Sequence, residues 1–224
     1  MMIAPGSPAT GKGAYQCVRV APAAVHANPT LRFRREALLF TVLAMRHFYN
    51  VALVGFMGTG KSTVGNCLAS MLHLRFVDTD ALIEQRAGKR ITEIFASDGE
   101  PRFRELESEV VRELESSRGS VISTGGGLVA NPANMESLKK HSLVVCLWAS
   151  PEAILQRVGH QTHRPLLQGA DRLEKIKELL AKREPFYRQA DVLLNCEQRS
   201  PREVAQHVAH QFRLGRRDEA SQAS

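Results

Sequence analysis

Short apolar segments alternate with longer segments of helical periodicity from residue 49 onward. Five of the apolar segments have the length and composition of buried β-strands, namely residues 51–56, 75–80, 120–125, 143–149 and 191–196. Strands that alternate with helices are typical of a parallel sheet covered by helices on both faces. The pattern therefore predicts an α/β fold of three layers around a five-stranded parallel sheet.

Two of the predicted helices have recognisable starts. Ser200 is followed by a proline and then by Glu203, which is the order of an N-cap, a first helical residue and a capping glutamate. Asp171 precedes Glu174 by three residues in the same way. Both signals place a helix start to within a few residues.

The segment 102–115 has one apolar stripe at helical spacing. The stripe consists of Phe103, Leu106, Val110 and Leu114. We expect Arg104 and Glu107 to lie together beside this stripe, where they face a cleft. The two side chains are therefore free to face a cleft.

Composition and charge limit the domain organisation. With 224 residues and 43% hydrophobic content, the chain suits one well-filled core with appendages. Residues 1–44 contain five basic residues and one acidic residue, and are rich in Ala and Pro. They fit a disordered extension, an organelle-targeting segment or a start site placed too far upstream of Met45. We expect the folded domain over residues 45–213 and a polar tail over residues 214–224.

The same features argue against several classes of function. The formal charge is +7, but more than half of it lies in residues 1–44, and the body of the chain lacks a basic run with stacking aromatics. We therefore expect no nucleic-acid partner. The apolar run 37–45 is too short to span a bilayer, so we expect no membrane role. The four cysteines are far apart, which favours reduced thiols and a cytoplasmic protein.

A phosphate-binding loop follows the first predicted strand. Its pattern is Gly55-x-x-x-x-Gly60-Lys61-Ser62, and a helical segment comes directly after it. In such a loop the backbone N–H groups surround phosphate oxygens, the lysine reaches the β- and γ-phosphates, and the serine hydroxyl binds magnesium. The candidate nucleotide-binding residues are Gly58, Thr59, Gly60, Lys61, Ser62 and Thr63.

Three further segments carry candidate chemistry. Asp78 and Asp80 end the second predicted strand on one face, so one carboxylate can hold the metal while the other takes a proton, unless one of them merely caps the next helix. The glycines 125–127 end the third strand and permit close backbone approach to a small ligand, with a tight turn as the alternative. The glycine-flanked segment 159–170 is typical of a mobile lid, and Arg164 is its cation.

Together, and in this order, these motifs resemble the shikimate kinase family, within the nucleoside-monophosphate-kinase-like group of P-loop proteins. The resemblance covers about residues 50–212. It rests on "GFMGTGKS", on "DTD" at 78–80, on "GExxFRxxE" at 99–107, on "GGG" at 125–127, and on "RPLL" and "KREPFY" further along. It implies transfer of a phosphoryl group from ATP to the 3-hydroxyl of shikimate, with Mg²⁺, in the route to chorismate and the aromatic amino acids.

The resemblance also implies a role for individual residues. Lys61 and the loop would hold ATP, Ser62 and Asp78 would hold Mg²⁺, and Asp80 would bind the shikimate hydroxyls and act as the base. The other implied contacts are Arg104 and Arg183 on the substrate carboxylate, Gly125, Gly126 and Gly127 along the substrate, Arg157 on adenine, and Arg164 on the phosphates. We further expect a monomer.

Two rival functions share part of the pattern. A kinase of another small hydroxy acid, such as gluconate, has the same loop and sheet, but does not need the three glycines together with Arg104 and Arg183. A non-catalytic relative of shikimate kinase would retain the fold for binding or regulation. Such proteins usually lose the lysine, an aspartate or a substrate arginine, and this chain has them all.

Overall fold

The computed structural model describes residues 46–158 and 171–222, with side chains described up to residue 215. Five parallel strands form one sheet in the order β2-β3-β1-β4-β5. Their bounds are Asn50–Val54 (β1), Arg75–Asp78 (β2), Ser120–Ser123 (β3), Ser142–Trp148 (β4) and Val192–Asn195 (β5). The predicted five-stranded parallel sheet is confirmed.

Helices connect the strands. In the described residues their bounds are Lys61–Leu72 (α1), Thr79–Ala87 (α2), Ile91–Ser97 (α3), Gly99–Leu114 (α4), Pro132–His141 (α5), Pro151–Val158 (α6), Arg172–Tyr187 (α7) and Pro201–Gln222 (α8), with a 3₁₀ turn at Leu128–Ala130. Both predicted helix starts are confirmed, because Asp171 accepts a hydrogen bond from the N–H of Glu174 and Ser200 exchanges hydrogen bonds with Glu203.

The helices form two layers, one on each face of the sheet. Helix α1 packs on α8, whereas α4 packs on α2, α3 and α5, and α6 packs on α7. Right-handed crossovers place α1 and α8 on one face and α4, α5 and α7 on the other. The central strands β1 and β4 are buried almost throughout, as expected for a parallel sheet covered on both sides.

The segment before β1 is part of the folded core. The guanidinium of Arg46 donates a 2.6 Å hydrogen bond to Asp191, whose side chain is only 7% exposed. Phe48 is fully buried, and its ring lies 5.8 Å from that of Phe212 on α8. A Cβ atom on Gly215 would lie 2.3 Å from the Phe48 ring, so the last helix passes close to this segment.

The cysteines of the described residues are free thiols, as predicted. Cys67, Cys146 and Cys196 form no disulfide. Burial raises the pKa of Cys146 to about 12, so this thiol remains protonated at neutral pH and acts as a small apolar group. No helix in the described ranges is long and apolar enough to cross a membrane.

The sheet order places one pair of strands at a topological switch point. The chain leaves β1 toward β2 on one side, and leaves the neighbouring β3 toward β4 on the other side. In open α/β sheets, ligands bind beyond the carboxyl ends of such a pair. The loops that follow β1 and β3 are the phosphate-binding loop and the glycine triplet, so both candidate motifs lie at this point.

Candidate active site

The loop after β1 has the geometry that phosphate binding requires. Gly55, Gly58 and Gly60 have φ angles of 134°, 78° and 90°, which side-chain-bearing residues rarely adopt. The ammonium group of Lys61 donates to the carbonyl oxygens of Gly55 and Phe56 at 2.9 and 3.0 Å. It is thereby held across the loop, in front of the N-terminus of α1, where the helix dipole favours anions.

Oxygen ligands suited to Mg²⁺ lie beside this loop. The hydroxyl of Ser62 donates to Oδ2 of Asp78 at 2.9 Å, and lies 3.3 Å from the hydroxyl of Ser123. Mg²⁺ prefers oxygen ligands, and in nucleotide sites it usually takes one or two protein ligands together with phosphates and water. Among the described residues no group of three His, Cys, Asp or Glu could hold a metal alone. The Ser62 and Asp78 oxygens therefore fit a metal that is shared with a nucleotide.

The prediction that Asp78 and Asp80 share one strand is wrong. Strand β2 ends at Asp78, and Asp80 lies in the first turn of α2. Oδ1 of Asp78 accepts hydrogen bonds from the N–H groups of Asp80 and Ala81 at 3.1 and 3.4 Å. Asp78 is thus the N-cap of α2, which was the alternative interpretation, and its other oxygen still faces Ser62.

Side chains from three helices lie against the three glycines after β3. A Cβ atom on Gly125 would lie 2.6 Å from Oδ1 of Asp80 and 2.9 Å from Oε1 of Glu107. On Gly127 it would lie 2.5 Å from Nη1 of Arg104, and on Gly126 it would lie 3.7 Å from Nη1 of Arg183. The candidate substrate residues of α2, α4 and α7 therefore converge on one backbone turn.

Two hydrogen bonds and one close approach fix this turn in place. The N–H of Gly125 donates to the hydroxyl of the fully buried Thr79 at 3.0 Å, which joins the turn to the start of α2. A Cβ atom on Gly126 would lie 3.2 Å from the backbone nitrogen of Met57, so the turn also touches the phosphate-binding loop. The hydroxyl of Tyr187 donates to the carbonyl of Gly126 at 2.5 Å.

Carboxylates on both sides orient Arg104. Its Nη1 donates to Glu107 at 2.7 Å and its Nη2 donates to Glu100 at 2.7 Å. The Arg104 side chain is 30% exposed, so its guanidinium retains access to the cleft while its direction is fixed. A planar guanidinium held in this way is suited to a carboxylate ligand.

Glu107 lies beside the apolar stripe of α4, as predicted, but it is buried and does not face an open cleft. The residue is 1% exposed, because the glycine turn and α2 cover the helix face that the sequence pattern left open. Burial raises the pKa of the Glu107 carboxyl to about 6, although Arg104 lowers it, and the nearby Asp80 carboxylate adds to the rise. The predicted apolar stripe itself is confirmed, since all four of its residues are buried.

A cavity of about 390 Å³ lies between the phosphate-binding loop and the glycine turn. It runs from the phosphate-binding loop, including Gly58, Gly60 and Thr63, past Asp78 and Asp80 to Gly126. Arg157 also lines the cavity, and its Nη2 donates to the carbonyl of Cys196 at 2.8 Å. The Thr59 side chain of the loop is buried, and its hydroxyl donates to the carbonyl of Phe56 at 2.8 Å.

The second arginine expected at the substrate carboxylate, Arg183, lies on α7. The guanidinium of Arg183 lies 5.5 Å from the centre of the Phe56 ring, and its Nη1 is 3.4 Å from the carbonyl oxygen of Gly126. Arg164 and the predicted lid over residues 159–170 lie outside the described residues. The structure thus brings together the other predicted site residues around one cavity or the turn that borders it.

Sequence analysis missed the contributions of two residues. Thr79 occupies the middle of "DTD", and a small hydroxyl between two aspartates was the only indication of a local hydrogen bond. Tyr187 continues the helical pattern of α7 and was part of "KREPFY", but nothing in its spacing separates it from an ordinary core residue. Both act on the glycine turn through contacts that only the tertiary fold creates.

Comparison with known proteins identifies the family of the chain. The family model described as shikimate kinase matches residues 57–213. The chain belongs to the shikimate kinase family. A shikimate kinase of Caldanaerobacter subterraneus subsp. tengcongensis is 44% identical over 163 residues, which are 73% of this chain and 95% of that relative.

Solved structures extend the family match to the fold. The structure of shikimate kinase from Acinetobacter baumannii in complex with shikimate has a TM-score of 0.71 and 37% identity, and covers 77% of this chain and 96% of that one. A gluconokinase from Sinorhizobium meliloti 1021 has a TM-score of 0.50 and 21% identity, and covers 78% and 97%. The similarity to the gluconokinase concerns the fold alone.

Proposed function

We propose that this protein transfers the γ-phosphoryl group of ATP to the 3-hydroxyl of shikimate, giving shikimate 3-phosphate and ADP. The observation that carries the proposal is the convergence of Asp80, Arg104 and Arg183 on the glycine turn, directly beside the phosphate-binding loop. Membership of the shikimate kinase family supports it. The product belongs to the route to chorismate and the aromatic amino acids.

ATP binds along the loop after β1. The backbone of Gly58, Thr59 and Gly60 surrounds the phosphates, with Lys61 at the β- and γ-phosphates and Thr63 at the start of α1. Arg157 packs on adenine, in the position that its hydrogen bonds to the carbonyls of residues 196 and 197 give it. Arg164 also binds the phosphates, as the family resemblance implies.

Ser62 and Asp78 hold Mg²⁺ together with the nucleotide. The metal supplies positive charge that neutralises the phosphate oxygens as the transfer proceeds. The hydrogen bond between the two side chains already places their oxygens 2.9 Å apart. Because the other oxygen of Asp78 caps α2, the carboxylate is held in one orientation without a large set of protein ligands.

Shikimate is a small ring with one carboxylate and three hydroxyls. Arg104 and Arg183 bind the carboxylate, and the backbone of Gly125, Gly126 and Gly127 lies along the ring. Asp80 accepts hydrogen bonds from neighbouring hydroxyls and takes the proton of the attacking one. The site thus recognises the acid at one end and aims a hydroxyl at the phosphate at the other.

Most of the rate enhancement comes from position and charge. The transition state of phosphoryl transfer is loose, so little proton transfer has occurred when the barrier is reached. Lys61 and Arg164 then stabilise charge on the transferring group, which is where a fixed cation contributes most. Asp80 contributes mainly by orienting the acceptor and by receiving the proton as the new bond forms.

The direct test is ADP release measured with shikimate and with gluconate as acceptors. We expect turnover with shikimate, and a lower but measurable turnover in the Asp80→Asn variant. A preference for gluconate would replace the proposal by the other kinase. Failure to rescue an aromatic auxotroph that lacks this enzyme, with folded protein present, would favour a non-catalytic relative.

We place the reaction in the cytoplasm and assign it to a monomer. The bacterial relatives and the free thiols of the described residues support a reducing compartment. Size-exclusion chromatography with light scattering tests the monomer. Fractionation of cells that express the full chain tests the location, and recovery in an organelle would assign residues 1–44 to targeting.

A further inference from the structure

Tyr187 is a fully buried residue with an unusual polar contact. It ends α7, has no exposed surface, and donates its hydroxyl proton to the carbonyl oxygen of Gly126 at 2.5 Å. Burial raises the pKa of the Tyr187 phenol, so the hydroxyl is a donor at every physiological pH. The ring would fill its place in the core equally well without the oxygen.

The acceptor of this hydrogen bond is the middle of the glycine turn. Gly126 lies between the two glycines that contact Asp80 and Arg104. Glycine permits the close approach of these side chains, but it also leaves the peptide planes of the turn with more rotational freedom than any other residue would. A contact from outside the turn is therefore needed to hold these planes in one orientation.

The Tyr187 hydroxyl supplies that contact, at the same carbonyl that Arg183 approaches. In a trans peptide the C=O and N–H groups point in opposite directions, so fixing the Gly126 carbonyl toward α7 turns the Gly127 N–H away from α7. Arg183 lies one helical turn before Tyr187 on the same face of α7, and its Nη1 lies 3.4 Å from the same carbonyl. Arg183 and Tyr187 thus contact the same carbonyl oxygen of the glycine turn.

We propose that Tyr187 is a positioning residue of the acceptor site, whose hydroxyl fixes the Gly126 peptide and Arg183 in the arrangement that binds the substrate carboxylate. The proposal rests on the function proposed above. The hydroxyl bonds to the glycine turn, on which the acceptor residues converge. Its loss therefore weakens acceptor binding and leaves nucleotide binding intact.

Tyr187→Phe removes only the oxygen, and Tyr49→Phe, at a partly exposed ring, is the matched control. We expect the KM for shikimate to rise roughly three- to tenfold in Tyr187→Phe, as for the loss of one buried hydrogen bond. The KM for ATP should remain within about twofold of the wild type. Tyr49→Phe should change neither constant.

A double-mutant cycle with Arg183→Lys separates positioning from a general loss of stability. If the hydroxyl acts through Arg183, the effect of Tyr187→Phe on the KM for shikimate should be largely absent in the Arg183→Lys background. An unchanged KM for shikimate, equal rises in both KM values, full additivity, or a Tyr187→Phe protein that does not fold would each overturn the proposal. Absence of shikimate turnover in the wild type would instead overturn the proposed function.

Discussion

The guanidinium of Arg104 lies against the α-carbon of Gly127 so closely that a Cβ atom there would be 2.5 Å from Nη1 and 2.9 Å from Cζ. Distances this short are not tolerated between side-chain atoms. Glu107 and Glu100 accept hydrogen bonds from the guanidinium and limit how far it can move away. The absence of a side chain at residue 127 is therefore a condition for the position of Arg104.

Gly127→Ala should displace Arg104 and weaken acceptor binding. We expect the KM for shikimate to rise by about tenfold or more, because a displacement near 1 Å is large for a group that orients a substrate. Steady-state kinetics with each substrate varied in turn measure the effect. Gly88→Ala is the control, since Gly88 has a φ of 62° but no neighbour within 4 Å. It should lower stability by about 1 kcal/mol and leave the KM for shikimate unchanged.

Lys61→Met should abolish most turnover. The substitution retains most of the unbranched chain of a residue that is 9% exposed but removes its charge from the loop. We expect kcat to fall by about a hundredfold or more, and by more than in Asp80→Asn, because charge neutralisation outweighs proton transfer in a loose transition state. Lys89→Met removes an exposed lysine that pairs with Asp98 at 3.0 Å, and its kcat should match the wild type. A larger loss in Asp80→Asn would show that the base dominates.

The buried Glu107 should make stability depend on pH. Its carboxyl has a folded-state pKa of about 6 against an ordinary value of 4.5, so the folded protein binds more protons than the unfolded chain between these values. The free energy of unfolding therefore falls as pH rises through this window, by about 2 kcal/mol for a shift of this size.

Glu107→Gln isolates this contribution. Urea unfolding at about pH 4 and about pH 7.5 gives the free energy of unfolding of each protein. Relative to the wild type, Glu107→Gln should be more stable at the higher pH than at the lower pH by about 2 kcal/mol. Glu105→Gln, at an exposed residue of the same helix, should show no such shift. A difference that does not change with pH would mean that Glu107 ionises normally.

The chain should tolerate removal of residues 1–44 but not of the next four. A protein that begins at Met45 retains Arg46 and Phe48, and we expect full activity and an unchanged melting temperature. Beginning at Tyr49 removes the Arg46 partner of Asp191 and the Phe48 ring that packs on Phe212. We expect that shorter chain to melt at a much lower temperature. Equal melting temperatures of the two shortened chains would show that residues 45–48 do not stabilise the core.

Arg46→Ala tests the ion pair alone. It leaves the nearly buried Asp191 with Lys139 at 3.9 Å as its remaining cation among the described residues, and should cost about 2 kcal/mol of unfolding free energy. Lys177→Ala removes an exposed pair with Glu174 and should have no measurable effect. Thermal or urea unfolding of both variants decides between a structural and an incidental contact.

The strands and the phosphate-binding loop could be predicted because they depend on local sequence. A run of apolar residues and a fixed set of glycines have the same meaning in any parallel sheet. The end of β2 could not be placed in this way. Its last residue, Asp78, pairs with Ser123, the last residue of β3, so the neighbouring strand sets the point at which β2 gives way to α2.

The burial of Glu107 could not be predicted from the sequence for a related reason. Helical spacing places Glu107 next to the apolar stripe, but the glycine turn and α2, which come from distant parts of the chain, cover it. The same applies to Tyr187, whose partner is 61 residues away. Residues that act on a site through tertiary contacts have no periodic signature.

The close contact between Gly126 and Met57 has a consequence for how the enzyme can change during evolution. The two loops that we propose to hold donor and acceptor meet through main-chain atoms of Gly126 and Met57. Substitutions elsewhere can alter how tightly each molecule is held, or which acid is accepted. They cannot readily change the span over which the phosphoryl group travels, because the polypeptide backbone itself sets that span.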